Sequence, residues 1–260
     1  MLGAQVRDLL TVRASRRAAG DLHLRAAEMN VLTRIRAGGR DIEFGVATTE
    51  GERAAVLAQR FRVYRRRGYY RRGLQDDRDA YDPSAAYFLA TLADETGDRV
   101  LLGSARLILG ESSPGFRSLT ERAFQLELPA ALRNAAPTQR FEVSRMVSEA
   151  VDGILIGGLM VPLGLIQAIS VYTRPLDMCC GLAAIKLRLL RALRGLGVCL
   201  HVIRDAWLIY PPSGPVSGYY HAHPDPVVPV WWRVDEIMPS VEQAIASASR
   251  VAGGQLTDPR

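Results

Sequence analysis

Four short clusters of charged and aromatic residues are the parts of this chain whose types and spacing could do chemistry. They are an arginine-rich run (60–72), an acidic run (76–82), the segment GSARL (103–107) and the segment FEVSR (141–145). A carboxylate such as Glu142 can take a proton from an amine, and a guanidinium such as Arg106 or Arg145 can hold a carboxylate by a forked contact. The same spacing is also typical of a solvated arginine face, an acidic loop and a structural ion network that joins the two arginines to Glu142 or Asp79.

The chain offers no convincing set of residues for covalent or metal chemistry. It shows no Ser-His-Asp or Cys-His arrangement that would activate a nucleophile. The cysteines are odd in number and lack C-x-x-C spacing, which predicts a reducing cytoplasm and no disulfide framework: Cys179, Cys180 and Cys199. His221, His223 and Asp225 lack a matched further ligand, so we predict that they are surface residues and that the chain has no metal site.

The order of the four clusters resembles a known family. An R-x-x-x-Y helix, a D-x-x-D pair, the strand GSARL and an E-x-S-R strand follow one another. This order resembles the acyl-homoserine-lactone synthases, which make autoinducers for quorum sensing, and their relatives the N-acyl amino acid synthases. The resemblance covers about residues 42–205 and is strongest over 57–148. No single motif is specific, and the ordered set carries the resemblance.

The resemblance implies a fold and a reaction. The fold is that of the Gcn5-related N-acetyltransferases, an α/β fold with a mixed central sheet flanked by helices. The reaction transfers a fatty acyl group from acyl carrier protein, or from coenzyme A, to an amine. Neither donor is a resident cofactor, so we expect no bound cofactor. We predict an enzyme that makes N-acyl amino acids.

Nine positions correspond to functional positions of the family, seven with the family's residue and two (Tyr64 and Tyr70) with a different one, and Glu142 is the predicted catalytic base. The nine positions are Arg60, Tyr64, Tyr70, Asp79, Asp82, Arg106, Phe124, Glu142 and Arg145. The resemblance makes the two strand arginines substrate anchors and the other residues support for the acceptor pocket. Tyr64 and Tyr70 stand where a phenylalanine and a tryptophan are usual in lactone synthases, in which these rings help to enclose S-adenosylmethionine. This departure favours an amino acid as acceptor, and a lactone synthase that uses S-adenosylmethionine is the alternative.

Arginine dominates the positive charge. The chain has 33 Lys and Arg against 27 Asp and Glu, a net charge of +6, and Lys186 is its single lysine. Acyl carrier proteins are acidic, so five arginines are predicted to steer one to the site: Arg65, Arg66, Arg67, Arg71 and Arg72. Plain solvation is one alternative for this run. Another is a non-catalytic protein that binds nucleic acid through its arginines, although we expect no nucleic-acid partner.

The elements that must position these residues alternate along the chain. The pattern predicts a strand at 42–47, a helix at 50–64, a hairpin of strands at 87–92 and 100–109, and a helical segment at 119–126. It then predicts a strand at 140–147, a helix at 160–173, a strand at 177–183, a helix at 185–195, and strands at 198–203 and 227–234.

We divide the chain into an N-terminal helical extension (1–40), an acyltransferase domain (41–240) and a C-terminal helix and tail (241–260). The uncharged stretch 153–173 is long enough to suggest a membrane span, but its glycines and Pro162 favour a loop followed by a buried helix. With no signal-peptide pattern, we expect a cytoplasmic protein without a transmembrane span. The stretch 153–164 and the strand at 178–183 are predicted to line a slot for the acyl chain.

Overall fold

The structure is a computed structural model. It describes residues 23–24, 29–37, 39–93, 98–113, 116–149, 158–221 and 224–254. The helices are α1 (Glu50–Arg66), α2 (Leu119–Ala123), α3 (Ala130–Asn134), α4 (Met160–Thr173), α5 (Leu187–Gly195), α6 (Ser217–His221) and α7 (Val234–Gly254). The strands are β1 (His23–Leu24), β2 (Asn30–Ala37), β3 (Arg40–Val46), β4 (Ala86–Ala93), β5 (Arg99–Leu109), β6 (Phe124–Gln125), β7 (Arg140–Ser148), β8 (Cys180–Lys186), β9 (His201–Val202), β10 (Trp207–Leu208) and β11 (Val227–Arg233).

One large sheet organises the described residues. Its order is β2-β3-β4-β5-β7-β8-β11-β9, with β1 paired to the start of β5, and β6 and β10 form a separate ribbon. The pair β7–β8 is parallel, whereas the other pairs of the large sheet are antiparallel. Because helices pack against this mixed sheet, the predicted α/β fold class is confirmed.

The two faces of the sheet carry different helices. Ser104 of β5 donates a hydrogen bond to Gln59 of α1 over 2.8 Å. Its neighbour Gly103 faces the other way, where an added Cβ would collide with Val161 of α4. Since successive residues of a strand point to opposite faces, α1 and α4 cover opposite faces of the sheet. Arg60 and Tyr64 lie on the α1 face, which therefore holds the candidate site.

The N-terminal extension (1–40) was predicted to be helical, and this is wrong for residues 30–37. Asn30–Ala37 is not helical but forms β2, which pairs with β3. Val31, Thr33 and Ile35 alternate as β-branched residues, and this spacing favours a strand. Residues 1–22 lie outside the described residues. At the other end, α7 begins at Val234, so the predicted boundary at 240–241 falls inside a helix.

The interior of the sheet is packed where the acyl slot is predicted. None of the helices in the described ranges is long and apolar enough to cross a membrane. Instead α4 is buried in the core, and a Cβ added to Gly164 would collide with the Phe44 ring. Gly181 of β8 lies just as close to the Trp232 ring. Gly164 and Gly181 therefore face packed side chains and not a slot. The slot predicted from 153–164 and 178–183 stays a prediction elsewhere, and residues 153–157 lie outside the described part.

Candidate active site

An ion network is buried beneath α1, and Arg60 begins it. The capping box of Thr49 and Glu52 fixes the start of this helix, and Arg60 projects from it with 1% of its side chain exposed. Its guanidinium donates to Asp82 over 2.9 Å and to Asp77 over 2.9 Å. A buried guanidinium needs such partners, because an unpaired charge is costly away from water.

Arg106 of β5 completes the network. Its guanidinium donates to Asp82 over 2.7 Å and forms a forked contact with Asp79 over 2.8 and 3.0 Å. Its Nε donates to the hydroxyl of Ser144 over 3.1 Å. The sequence analysis allowed a structural network with Glu142 or Asp79, and the structure forms it with Asp79. The roles of Arg60, Asp79 and Asp82 in substrate binding stay predictions.

The network holds Asp79 and Asp82 ionised. Burial opposes ionisation of Asp82, but the hydrogen bond from Arg60 and the charges of Arg106 and Arg60 hold the pKa of Asp82 well below its usual range. The pKa of Asp79 is lowered as well, because the hydrogen bond and charge of Arg106 outweigh its burial. These carboxylates therefore stay charged at neutral pH and are poor proton acceptors.

A bulge in β7 directs Arg145 toward the same network. Arg106 pairs with Ser144, but Ser104 pairs with Val147, so β7 has one extra residue at this point. Arg145 has a φ of 54°, in the left-handed region. Regular alternation would put Arg145 on the face opposite Ser144. With the bulge, its guanidinium lies 3.4 Å from Asp79 and 5.4 Å from the centre of the Tyr64 ring.

Glu142 lies on the same face of β7, two residues before Ser144. It is 3% exposed, and its carboxylate accepts hydrogen bonds from the backbone N–H of Thr120 over 3.1 Å and from the Thr120 hydroxyl over 2.9 Å. Among the described residues, no cation forms an ion pair with it. Burial raises the pKa of Glu142 to about 7, although the two hydrogen bonds from Thr120 and the charge of Arg106 oppose that rise.

Thr120 reaches Glu142 because of where α2 begins. Ser118 caps this helix, and it forms a capping box with Glu121. Thr120 is the second residue of α2, so its N–H has no acceptor inside the helix. The cap therefore aims a free backbone donor and a hydroxyl at Glu142.

The sheet opens next to Glu142. The parallel ladder between β7 and β8 joins Arg140 to Cys180 and ends where Glu142 meets Leu182. Both strands continue beyond this point, to Ser148 and Lys186. The backbone groups of β7 after Glu142 therefore have no partner in the described residues of β8.

Aromatic side chains surround the network on its outer side. Tyr64 is 4% exposed and stacks on Tyr219 at 5.8 Å between ring centres. The Tyr70 hydroxyl donates a short hydrogen bond to Asp77. Phe124 is buried beside Tyr220, with the ring centres 6.2 Å apart. Tyr64, Tyr70 and Phe124 thus lie near the charged residues, and their predicted contact with substrate stays a prediction.

The five arginines predicted to dock a carrier protein are all exposed. Arg66 lies 3.4 Å from Glu149, and Arg71 donates to the backbone oxygen of Ser213 over 3.3 Å. Their position beside α1 puts a positive surface close to the buried network. The docking itself stays a prediction.

An open groove of about 820 Å³ lies beyond Phe124. It runs between the segment from β6 to α3 and the ends of β9 and β11. Trp207, Trp231, Leu126 and Leu128 provide apolar walls, and Arg133 and Arg204 line it as well. Trp207 is 60% exposed, which is unusual for a side chain of its size. The groove lies on the α1 face, where the sequence analysis predicted no acyl slot.

Several residues of the site were missed from the sequence. Asp77 is a partner of Arg60, and Thr120 holds Glu142, but neither matches a motif position. Tyr219 and Tyr220 come from the proline-rich C-terminal third, far from the motifs in sequence. One signal was available for Thr120, because the pattern Ser118-x-x-Glu121 before an apolar residue predicts a helix start with free N–H groups.

Comparison with known proteins supports the fold. No family model matches the chain, and a search of curated proteins finds no match. Among solved structures, the chain is similar to the AHL synthase LasI, with a TM-score of 0.50 and 13% identity over 77% of this chain and 93% of that chain. It is similar to TofI in a ternary complex with an inhibitor and MTA, with a TM-score of 0.52 and 18% identity over 78% and 98%.

This chain has the fold of the acyl-homoserine-lactone synthases. The likeness confirms the fold that the order of the motifs implied. FeeM, an N-acyl amino acid synthase, also superposes, with a TM-score of 0.48 and 14% identity over 75% of this chain and 94% of that chain.

Proposed function

We propose that this protein is an N-acyltransferase that moves a fatty acyl group from acyl carrier protein or acyl-CoA to the amine of an amino acid or a related metabolite. The observation that carries the proposal is Glu142. It is a buried carboxylate without an ion-pair partner among the described residues, its pKa is about 7, and it lies where β7 and β8 part. A general base works best when its pKa lies near the working pH.

The proposed reaction is aminolysis of a thioester. Glu142 takes a proton from the amine, and the neutral nitrogen then attacks the thioester carbonyl carbon. A C–N bond forms and the C–S bond breaks. The nitrogen then loses its second proton, which passes to the leaving sulfur, and Glu142 releases the first proton to solvent. Backbone N–H groups of β7 beyond Glu142, which have no partner on β8, are suitable donors to the oxyanion. No covalent enzyme intermediate is required.

Arg145 is the better of the two predicted anchors for an acceptor carboxylate. The guanidinium of Arg106 already bonds Asp79, Asp82 and Ser144 through its three nitrogens. Arg145 has a single long contact of 3.4 Å to Asp79 and lies 9% exposed. A forked contact from Arg145 would orient the acceptor amine relative to Glu142.

The donor would approach from the arginine surface. Arg65, Arg66, Arg67, Arg71 and Arg72 suit an acidic carrier protein, and the groove lined by Trp207, Trp231 and Leu128 suits an acyl chain. Because the groove is open and partly polar, an acyl chain would be covered on one side only.

A second candidate is a lactone synthase that uses S-adenosylmethionine. The presence of several aromatic rings around the network supports it, because aromatic faces attract a sulfonium cation, although Tyr64 and Tyr70 replace the phenylalanine and tryptophan that are usual in lactone synthases. Tyr64, Tyr69, Tyr70 and Tyr219 lie with ring centres 5.3 to 5.8 Å apart. The solved structure of TofI contains MTA, which is the by-product of that reaction.

Mass spectrometry of extracts from cells that express the chain would test the proposal. We expect N-acyl amino acids in these cells and none in cells that express Glu142→Gln. With purified protein, release of thiol from acyl carrier protein or acyl-CoA should depend on an added amino acid. Release of methylthioadenosine from S-adenosylmethionine would instead support the lactone synthase. If neither amine causes thiol release and DNA binds with steep salt dependence, the chain is a nucleic-acid-binding protein.

A further inference from the structure

A second polar cluster lies at the far edge of the sheet, outside the candidate active site. His201 begins β9, the last strand of the sheet, Cys199 lies two residues before it, and Glu236 lies in the first turn of α7. Cys199 Sγ is 3.5 Å from His201 Nε2 and 3.7 Å from Glu236 Oε2, and these two atoms are 3.0 Å apart. The three side chains therefore present one sulfur, one nitrogen and one oxygen to a common point.

The triangle has the size of one face of a zinc coordination tetrahedron. With Zn–S of about 2.3 Å and Zn–N and Zn–O of about 2.0 Å at tetrahedral angles, the donor atoms lie about 3.5 Å apart for each sulfur pair and about 3.3 Å apart for nitrogen and oxygen. The observed distances differ from these values by no more than about 0.3 Å. Thiolate, imidazole and carboxylate are also the three ligand types that zinc accepts.

The supporting elements hold the donors in place. The backbone N–H of Cys199 donates to Ser240 Oγ over 3.0 Å, which ties the segment to the same helix that carries Glu236. The His201 ring lies on Trp231, with the ring centres 4.8 Å apart. Cys199 lies two residues before His201, outside the strand, and the 3.5 Å between its Sγ and His201 Nε2 shows that the two side chains meet on one side. A metal ion would bind here with little rearrangement.

Of the two carboxylate oxygens of Glu236, only one is close to a neighbouring arginine, so the other is available to bind a cation. Arg233 Nε lies 3.5 Å from Oε1 of Glu236. The guanidinium of Arg233 is engaged mainly by Asp235, over 2.6 and 3.0 Å. Glu236 Oε2 therefore faces Cys199 and His201, and it would bind a metal through this one oxygen.

We propose that Cys199, His201 and Glu236 bind a zinc ion, with a water molecule as the fourth ligand. Among the described residues, no fourth histidine, cysteine or carboxylate joins the three donors. Binding replaces the thiol proton of Cys199, which is released to solvent. The sequence analysis predicted no metal site, because Glu236 is distant in sequence and C-x-H is not a recognised ligand spacing.

The zinc would link two elements of the fold. Two strands, β8 and β11, lie between β7 and β9, so at about 4.8 Å per strand the cluster is about 14 Å from the strand that carries Glu142. A bound ion would join the edge strand β9 to α7. It would strengthen that edge, and through His201 it would also hold Trp231, which lines the groove proposed for the acyl chain.

Titration of the chelator-treated full chain with Zn²⁺ in a calorimeter tests the proposal. We expect one equivalent to bind, and Co²⁺ in its place should give a near-ultraviolet thiolate-to-cobalt absorption band. Cys199→Ala should weaken Zn²⁺ binding about 100-fold or more and abolish the band. Cys179→Ala removes an exposed cysteine outside the cluster. It should change neither the affinity for Zn²⁺ nor the cobalt absorption band.

Glu236→Gln keeps the shape of the side chain and serves if Cys199→Ala does not fold. It should weaken Zn²⁺ binding while the far-ultraviolet circular dichroism stays the same. No one-to-one binding by the wild-type chain would show a hydrogen-bonded cluster only and would overturn the proposal. Equal affinity in Glu236→Gln and wild type would place the metal elsewhere and overturn it too. Neither result affects the proposed acyl transfer, whose assay is separate.

Discussion

Asp82 and Glu142 are both buried carboxylates on the α1 face of the sheet, and their surroundings give them opposite properties. Asp82 accepts from the guanidinium groups of Arg60 and Arg106, so its pKa is lowered although burial opposes this. Glu142 accepts two hydrogen bonds from Thr120 and has no ion-pair partner among the described residues, and burial raises its pKa to about 7. Burial alone therefore does not decide whether a carboxylate is charged, because the neighbouring cations decide it.

The difference separates a scaffold from a proton acceptor. The network around Asp82 balances two buried guanidinium groups and fixes the positions of α1, β5 and the loop between α1 and β4, which carries Asp82. Glu142 neutralises no buried cation among the described residues, and it can exchange a proton near neutral pH. The following predictions would break or sharpen this contrast, beginning with the largest expected effect.

Asp82→Asn should lower the free energy of unfolding by about 3–5 kcal/mol, because it leaves Arg60 and Arg106 buried with too little negative charge. Urea denaturation followed by circular dichroism measures the change. Asp76→Asn on the same loop is the matched control, since Asp76 is exposed, and it should cost less than about 0.5 kcal/mol. A loss under about 1 kcal/mol for Asp82→Asn would contradict the role of the network.

Glu142→Gln should reduce kcat by about 100-fold or more, because the amide cannot accept the amine proton. Its free energy of unfolding should not fall, because a neutral group is favoured at this buried position. Steady-state thiol release and urea denaturation measure the two effects. Glu149→Gln, which removes the partner of Arg62 near the end of β7, should leave kcat nearly unchanged. Wild-type turnover in Glu142→Gln would remove Glu142 from the mechanism.

The stability of the wild-type protein should fall as the pH rises from about 5 to about 7. The pKa of Glu142 in the folded state, about 7, lies above its ordinary value of 4.5. Between these two values the folded state binds more protons than the unfolded chain does. The free energy of unfolding therefore falls as the pH rises through this window. Relative to Glu142→Gln, the decrease should be about 2 kcal/mol. If the free energies of unfolding of the wild type and of Glu142→Gln change with pH in the same way, the pKa of Glu142 is not raised.

Asp79 and Asp82 should have the opposite effect at lower pH. Their folded pKa values lie below the ordinary value. Their stabilisation is therefore present above about pH 4 and is lost as the pH falls further. The same titration, extended to acid, measures this loss.

Thr120→Val should shift the acid limb of kcat/KM upward by about one pH unit. The variant removes the hydroxyl that donates to Glu142 over 2.9 Å, and a hydrogen bond to a charged group is worth about 1.5–3 kcal/mol, part of which water can replace. Thr120→Ser keeps the hydroxyl and should restore the wild-type limb. An unchanged limb in Thr120→Val would show that this hydroxyl does not influence Glu142.

Charge reversal on the arginine surface should have the smallest effect on stability. Arg65→Glu with Arg67→Glu should change the free energy of unfolding by less than about 0.5 kcal/mol, because both residues are exposed. The KM for acyl carrier protein should nevertheless rise about tenfold, and the KM for acyl-CoA should rise less. Arg188→Glu with Arg191→Glu, on α5, is the control. Equal KM changes in both pairs would contradict a docking surface.

The sequence predicted most of the elements around the site. The strands β3, β4, β5, β7 and β11 and the helices α1 and α4 lie close to their predicted ranges, because their apolar residues follow one period over a long segment. β2 was predicted as helical, since its short pattern also fits a helix and its pairing with β3 is not local. Phe124 was predicted in a helix, but α2 ends at Ala123, and Phe124 begins β6 by pairing with β10.

Residue types and their order determined by themselves which groups carry charge and chemistry here, namely Arg60, Asp82, Arg106 and Glu142. Only the tertiary structure decided how those charges are shared. Asp82 lies between two guanidinium groups, Glu142 lies against Thr120, and a bulge in β7 brings Arg145 to the same face. The physical reason is that pKa, ion pairing and metal-ligand geometry depend on distances of a few ångströms between residues that are far apart in sequence, whereas residue periodicity encodes only local structure.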